Sequence, residues 1–385
     1  MAASLLSLPD DIIRYAIEDV PNILAPVGIP PAACTYICSA ADLPQIVRTY
    51  FAQSDCRSIS GAAMHYDGGR LTAIGIIICD RLVSCQNVAD IVCAYTRPTT
   101  GSRPFIYLHA ATLTAGIKND EMRYLCGARH VVLLCCVFVT DLYPLRYTPE
   151  IDLSYCSNIR DVSPLANARR ISIKYCENLT DISMLGNVHT LTLSSCRQIT
   201  DVSALGNVHT LDISTCRLVC DVSALGNVHT LTLSGCQNVT TVAALGRVHT
   251  LQLVNCWNIT DVAALGRVHT LDLSGCIRIR DVSRLGDNHT VNLSYCDRVS
   301  NVDSLGGVNT LNLTHCRSVS DVRALSGLHH LNCAHCPLIC DVNMLGNLHT
   351  LYMPGCIGVT NIRELGRVAA LNVIGCPITV WPADI

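Results

Sequence analysis

An α/β-type repeat solenoid, with a parallel β-sheet along one face and short turns or 3₁₀ segments along the other, is the fold class this sequence predicts. Three observations carry the prediction. A 20-residue period keeps its register from about residue 121 to residue 380, so that residues 201–220 (DVSALGNVHTLDISTCRLVC), 221–240 (DVSALGNVHTLTLSGCQNVT) and 261–280 (DVAALGRVHTLDLSGCIRIR) match offset by offset. A fixed period of this length means stacked coils, each burying its apolar side against its neighbours. Seven apolar positions recur in each coil, Val222, Leu225, Val228, Leu231, Leu233, Cys236 and Val239 in one of them, with mostly gaps of three and a single gap of two. Thirteen of the 24 cysteines fall at one offset, from Cys136 to Cys376.

The gap of two marks the strand. Leu231-Thr232-Leu233 alternates in, out, in, as a short β-strand does, while the gaps of three suit tight turns and 3₁₀ segments. Cys196, Cys216, Cys236, Cys256 and Cys276 then stack in a column, each thiol small enough for the turn and able to donate weakly to a backbone carbonyl. Asp161, Asp181, Asp201, Asp221, Asp261, Asp281, Asp321 and Asp341 open their blocks as caps for the exposed N–H groups of a short helical turn. Gly186, Gly206, Gly226, Gly246, Gly266 and Gly286 close that turn, where a positive φ or a close backbone approach is expected. His189, His209, His229, His249, His269 and His289 form a ladder that His329 and His349 resume after Asn309. A stack supported by hydrogen bonds to the neighbouring threonines accounts for this ladder more simply than metal binding does. Adjacent rings resist simultaneous protonation, so acid is expected to loosen it.

The run VHTLTLSGCQNV carries the pattern LxxLxLxxC, which resembles the leucine-rich repeat superfamily. The segment ITDVSAL (199–205) resembles the turn of internalin-type repeats, and cysteine in the Asn/Cys position is similar to the F-box-associated cysteine-containing class. A 20-residue coil leaves no room for a full outer helix, so the resemblance implies a slim, gently curved solenoid. Reading the same phase back to residue 41 gives about 17 coils, which at ~4.8 Å each span on the order of 80 Å.

In chain order, residues 1–40 stand outside the period as an N-terminal cap or F-box-like helical segment. Residues 41–120 read as degenerate coils, 121–380 as regular coils and 381–385 as a C-terminal cap. The opening LSLPDDII resembles the first helix of an F-box through Leu8, Pro9, Asp10, Ile12 and Ile13. That resemblance implies a Skp-type adaptor as a partner of Leu8, Pro9, Ile12 and Ile13. The prolines that follow, Pro21, Pro26, Pro30 and Pro31, crowd the region where further F-box helices would run. Near-identical middle copies joined to such a start resemble proteins of large DNA viruses of amoebae.

Half the residues are apolar and 15% charged, consistent with a large buried interior. A net charge of −3 supplies no field for nucleic acid, and no polybasic run points to a membrane. The start lacks a cationic leader and an apolar signal run, so a cytoplasmic protein is expected, in host cytoplasm or virion if the origin is viral. Cysteines at repeat spacing argue for reduced core thiols in such a compartment. No phosphate loop, GxSxG elbow or HExxH motif occurs, and no catalytic residue, cofactor or metal ligand is assigned. Cys333-Ala-His335-Cys336 has the spacing of a metal half-site, but its cysteines take inward offsets and His335 an outward one.

The outward sheet face is small and polar. The groups suited to hold a protein partner are Asp212, Asp272 and Tyr352 on the strands, with Tyr155, Tyr175, Tyr295, His315 and His335 at the margin. The expected function is a non-enzymatic protein-interaction scaffold. The alternatives are an F-box-type substrate receptor of a cullin-RING ubiquitin ligase and a structural or virion assembly component.

Overall fold

The coils are stepped by parallel strands whose register equals the sequence period. The computed structural model describes residues 136–382 continuously and, before them, residues 37–38, 59–67, 70–78, 105–109, 119, 122–125 and 130–134. The chain divides into two units, Met1–Leu179 and Thr180–Ile385.

In the first unit, β1 (Ile37–Cys38) pairs antiparallel with β2 (Ile59–Asp67), and β2 antiparallel with β3 (Arg70–Ile78). Parallel pairing begins between β3 and β4 (Phe105–His109) and continues through β5 (His130–Leu134), β6 (Glu150–Ser154) and β7 (Arg170–Lys174). Ile77 pairs with Tyr107 and Phe105 with His130, steps of 30 and 25 residues, whereas His130 pairs with Glu150 and Glu150 with Arg170. The 20-residue step therefore starts at β5, and the phase traced back to residue 41 does not describe these earlier strands. The reason lies in residues 67–70, Asp-Gly-Gly-Arg. Only Gly68-Gly69 separates the ends of β2 and β3, and a two-residue link joins strands antiparallel, whereas a parallel pair needs a long crossover.

The second unit holds the regular array: β8 (Thr190–Thr192), β9 (Thr210–Asp212), β10 (Thr230–Thr232), β11 (Thr250–Gln252), β12 (Thr270–Asp272), β13 (Thr290–Asn292), β14 (Thr310–Asn312), β15 (His330–Asn332), β16 (Thr350–Tyr352) and β17 (Ala370–Asn372). All pair in parallel, each residue opposite its equivalent 20 positions away, as Leu231 lies between Leu211 and Leu251. The ladder runs past the strands, since Leu233 N–H donates to the Gln252 carbonyl (2.8 Å) and Gly235 N–H to that of Val254 (2.8 Å). Opposite the sheet, short 3₁₀ turns such as Ser203–Asn207 and Ser223–Asn227 complete each coil. This unit is thus the repeat solenoid of parallel strands and short 3₁₀ turns expected from the periodicity. All seven inward offsets are buried: Val222, Leu225, Val228, Leu231, Leu233, Cys236 and Val239.

The aspartates at the block starts act one position earlier than a simple cap. Asp201 Oδ1 accepts from the Ser203 N–H (2.8 Å) and Asp221 Oδ1 from that of Ser223 (2.9 Å), a side-chain turn that leads into the 3₁₀ segment. For the glycines, close approach is the operative constraint. A Cβ on Gly206 would lie 2.4 Å from the Ala224 carbonyl oxygen of the next coil. At one coil the apolar pattern is broken: Asn288 occupies the offset of Val228, is buried, and donates to the carbonyls of Leu265 (2.9 Å) and Val268 in the preceding coil. A polar side chain is tolerated there because two backbone acceptors meet it.

From Cys216 onward each thiol of the cysteine column donates to a carbonyl of the preceding coil, as Cys236 does to Ile213 (3.1 Å), Cys256 to Leu233 (3.1 Å) and Cys276 to Leu253 (3.0 Å). Burial pushes Cys216 up to about 12 and Cys256 up to about 11, so these groups stay protonated and poor nucleophiles. Among the described residues, Cys220 and Cys340 are the exposed thiols. Peptide-resolved iodoacetamide labelling of the native protein is expected to modify Cys220 and Cys340, leaving Cys216, Cys236, Cys256 and Cys276 unmodified until denaturant is added.

Candidate functional site

The strand's outward positions lead straight into a turn, and this turn builds the surface. Asp212 Oδ1 accepts from the Ser214 N–H (2.9 Å) and Asp272 Oδ1 from the Ser274 N–H (2.8 Å); Asn292, Asn312 and Asn332 do the same for residues 294, 314 and 334. Asp272 Oδ2 also accepts from Asn292 Nδ2 (3.0 Å). Asp212 and Asp272, expected on the sequence pattern to face a partner, therefore direct hydrogen bonds into their own turns. With or without that bond, the residue just before each column cysteine from Cys156 to Cys376 is left-handed.

Small or flexible residues occupy that left-handed position in most coils: Ser195 (φ 59°), Thr215 (59°), Gly235 (74°), Asn255 (57°), Gly275 (72°), Gly355 (69°) and Gly375 (77°). Five of the sequence candidates are the exceptions. In the first unit Tyr155 (φ 57°) and Tyr175 (φ 56°) stack with ring centroids 4.5 Å apart and planes 4° from parallel. In the second unit Tyr295 (φ 62°), His315 (60°) and His335 (57°) form a three-ring pile, with centroid spacings of 4.7 and 4.6 Å. The pile ends over Gly355, where a Cβ would come 2.5 Å from His335 Nδ1. Tyr295 is 55% exposed. The His315 pKa is lowered by burial and by the nearby His335 and Arg317, against an opposing pull from Asp297, so its ring is neutral at physiological pH. Tyr352 stands on β16, exposed, opposite Asn332 and Asn372 in register. Cys333 and Cys336 are buried while His335 is exposed, so this half-site does not converge.

The histidine ladder forms as expected. Centroids from His189 to His289 are 4.6–4.8 Å apart, the strand spacing itself, and Nδ1 of His189, His209, His229, His249 and His289 shares a hydrogen bond with the following threonine, as His209 does with Thr210 Oγ1 (3.2 Å). The His249 pKa is lowered by burial and by its neighbours His229 and His269. The native state resists a proton that the unfolded chain takes up near 6.5. Stability from this group is thus complete above 6.5 and declines as pH falls below it. Asp181, Asp201 and Asp221, held below their usual 3.8 by hydrogen bonds from Ser183, Ser203 and Ser223, lose their contribution only in stronger acid. A melting midpoint that falls between about pH 7.5 and about pH 5 therefore reports the histidines. A His249→Asn variant, with the residue found at 309, is expected to fall less.

Two arrangements escaped the sequence reading. In the first unit, buried His130 on β5 sets Nε2 2.7 Å from Asp152 Oδ2 and Nδ1 3.9 Å from Glu150 Oε2 on β6. The signal was available, because positions 130 and 150 depart from the Thr usual at their offset. In the second unit, His330 replaces the threonine after the ladder histidine and joins His329 and His349. Leu8, Pro9, Ile12 and Ile13, the adaptor-binding candidates, lie outside the described residues. No helix among the described residues is long and apolar enough to cross a membrane.

No protein-family model and no curated protein matches the chain. Among solved structures it aligns with the functional domain of InlJ from Listeria monocytogenes, which includes a cysteine ladder, at 17% identity and TM-score 0.48 over 71% of this chain and 63% of that one. The chain thus spans less than two thirds of that relative. A leucine-rich repeat protein from Leptospira interrogans aligns at 13% identity and TM-score 0.35, over 67% of this chain and 75% of that one. The mouse RP105/MD-1 complex aligns at 16% identity and TM-score 0.46, covering 75% and 59%.

Proposed function

We propose that this protein is a non-enzymatic protein-interaction scaffold whose contact ridge in the second unit is the pile Tyr295, His315 and His335, with Tyr352 nearby. One observation carries the reading. A left-handed backbone costs a residue with a side chain about 1–2 kcal/mol, and glycine or asparagine relieves most of that cost. Glycine or asparagine is what several neighbouring coils use at this position. Placing large exposed rings there works against stability, and strain retained at one site is a mark of function. Rings of this kind, rigid and amphipathic, are the usual anchors of protein recognition. Tyr155 and Tyr175 repeat the arrangement in the first unit, and the reduced buried thiols suit a reducing, cytoplasmic setting.

The test is site-specific photocrosslinking in cells. A p-benzoylphenylalanine in place of Tyr295 is expected to give a discrete heavier adduct. The same group in place of Ala244, exposed on the 3₁₀ side, is expected to give none. Equal adducts at both positions, or an adduct at 244 alone, would reject the ridge. An adduct containing a second copy of this chain would favour the assembly role. The finer reading, a cullin-RING substrate receptor, rests on the F-box resemblance at Leu8, Pro9, Ile12 and Ile13. It requires a Skp-type adaptor to co-purify with the full chain and to be lost on removing residues 1–40.

A further inference from the structure

We propose that His329, His330 and His349 form a binding site for a divalent transition metal of the zinc class. Each ring offers one nitrogen, and the three nitrogens lie within 4.8 Å of one another. The site arises from one departure in the repeat. At most ladder positions, as at Thr290 and Thr350, the hydroxyl of the threonine after the histidine takes up its Nδ1. At 330 the threonine is replaced, and His329 Nδ1 instead meets His330 Nε2 at 2.8 Å. His349 stacks on His329 at 4.7 Å, 10° from parallel, and meets His330 edge-on at 5.5 Å and 79°. Three imidazoles from two adjacent coils thus converge, while Asn309 and Ala369 end the ladder on either side.

The donor set fits this class of ion. Imidazole nitrogen is the ligand favoured by zinc, copper and nickel, and three histidines leave a coordination position for water. His330 is fixed by strand β15, paired to Thr310 and Thr350, whereas His329 and His349 are exposed at the edge of the strand. The hydrogen shared between His329 and His330 presents no obstacle. A shift of tautomer moves it to the far nitrogen of its ring and frees both facing nitrogens, with no net loss of a proton. Such a site adds a ligand function to the solenoid that does not depend on the aromatic ridge.

The experiment is diethylpyrocarbonate footprinting of the full chain by mass spectrometry, with and without Zn²⁺. Zinc is expected to protect His329, His330 and His349 together, with His209 and His229 unchanged. In a His330→Thr variant, which restores the residue usual at that offset, protection of His329 and His349 is expected to need roughly tenfold more zinc or more. A His349→Asn variant, carrying the residue that ends the ladder at 309, is expected to behave likewise. Unchanged modification of the native triad, equal protection along the whole ladder, or protection that survives His330→Thr would each overturn the site.

Discussion

A Gly226→Ala variant is expected to lose on the order of 3 kcal/mol of stability, read as a fall in the urea midpoint, although only a methyl group is added. The added Cβ would lie 2.4 Å from the Ala244 carbonyl oxygen and 3.4 Å from its carbon. That oxygen belongs to the backbone of the next coil, and both coils are held in register by parallel ladders, so neither can yield alone. Local propensity argues the opposite sign, since alanine is favoured over glycine in helical turns by about 1 kcal/mol. The direction of the change therefore decides whether coil-to-coil approach or chain entropy governs this position. Ala243→Ser, which copies Ser203 and Ser223 at an exposed site, is the matched control and is expected to change little.

Leu251→Ala is expected to cost about 3–4 kcal/mol. Leu251 is fully buried between Leu231 and Leu271 in register. In a globular core the walls of such a cavity relax inward, but here the coil spacing is set by backbone hydrogen bonds, so the space stays open. Because each coil contacts only its neighbours, the loss also weakens the coupling between the coils on either side. Unfolding is expected to broaden or split into two transitions, seen by circular dichroism against a Leu251→Ile control that retains volume.

The extent to which the fold was legible follows from how local its determinants are. One gap of two among gaps of three located the strands, and Thr230–Thr232 and Ser223–Asn227 lie where the spacing puts strand and 3₁₀ turn. The cysteine column was equally readable, since a small weak donor at one offset has a carbonyl to meet in every coil. The early chain misled for a definite reason. Apolar residues such as Leu71, Ala73 and Ile76 satisfy a loose three-residue spacing and strand alternation alike, and the deciding signal was the Gly68-Gly69 link.

The candidate site was legible as composition but not as geometry. Tyr295, His315 and His335 stood out by size, yet nothing in a single sequence says that their backbone is left-handed; the clue was the Gly, Asn and Ser at the same offset in other coils. Asp212 and Asp272 looked available for a partner because charge is visible in a sequence, whereas the serine N–H groups that receive their oxygens are not. His330 reads in the sequence as one more polar residue on a strand, and its meeting with His329 and His349 appears only in the geometry.

If the ridge trades backbone ease for recognition, the deciding measurement is partner capture from cell lysate by a Tyr295→Asn, His315→Asn, His335→Asn variant, set beside its melting midpoint. Asparagine eases the left-handed conformation while removing stacks worth about 0.5–1.5 kcal/mol each at most, so the net stability change is expected to be small. The expected result is a midpoint close to that of the native protein with the captured partner gone. Undiminished capture would show that the ridge is not the contact surface, and a collapsed midpoint that the rings serve to hold the coils together.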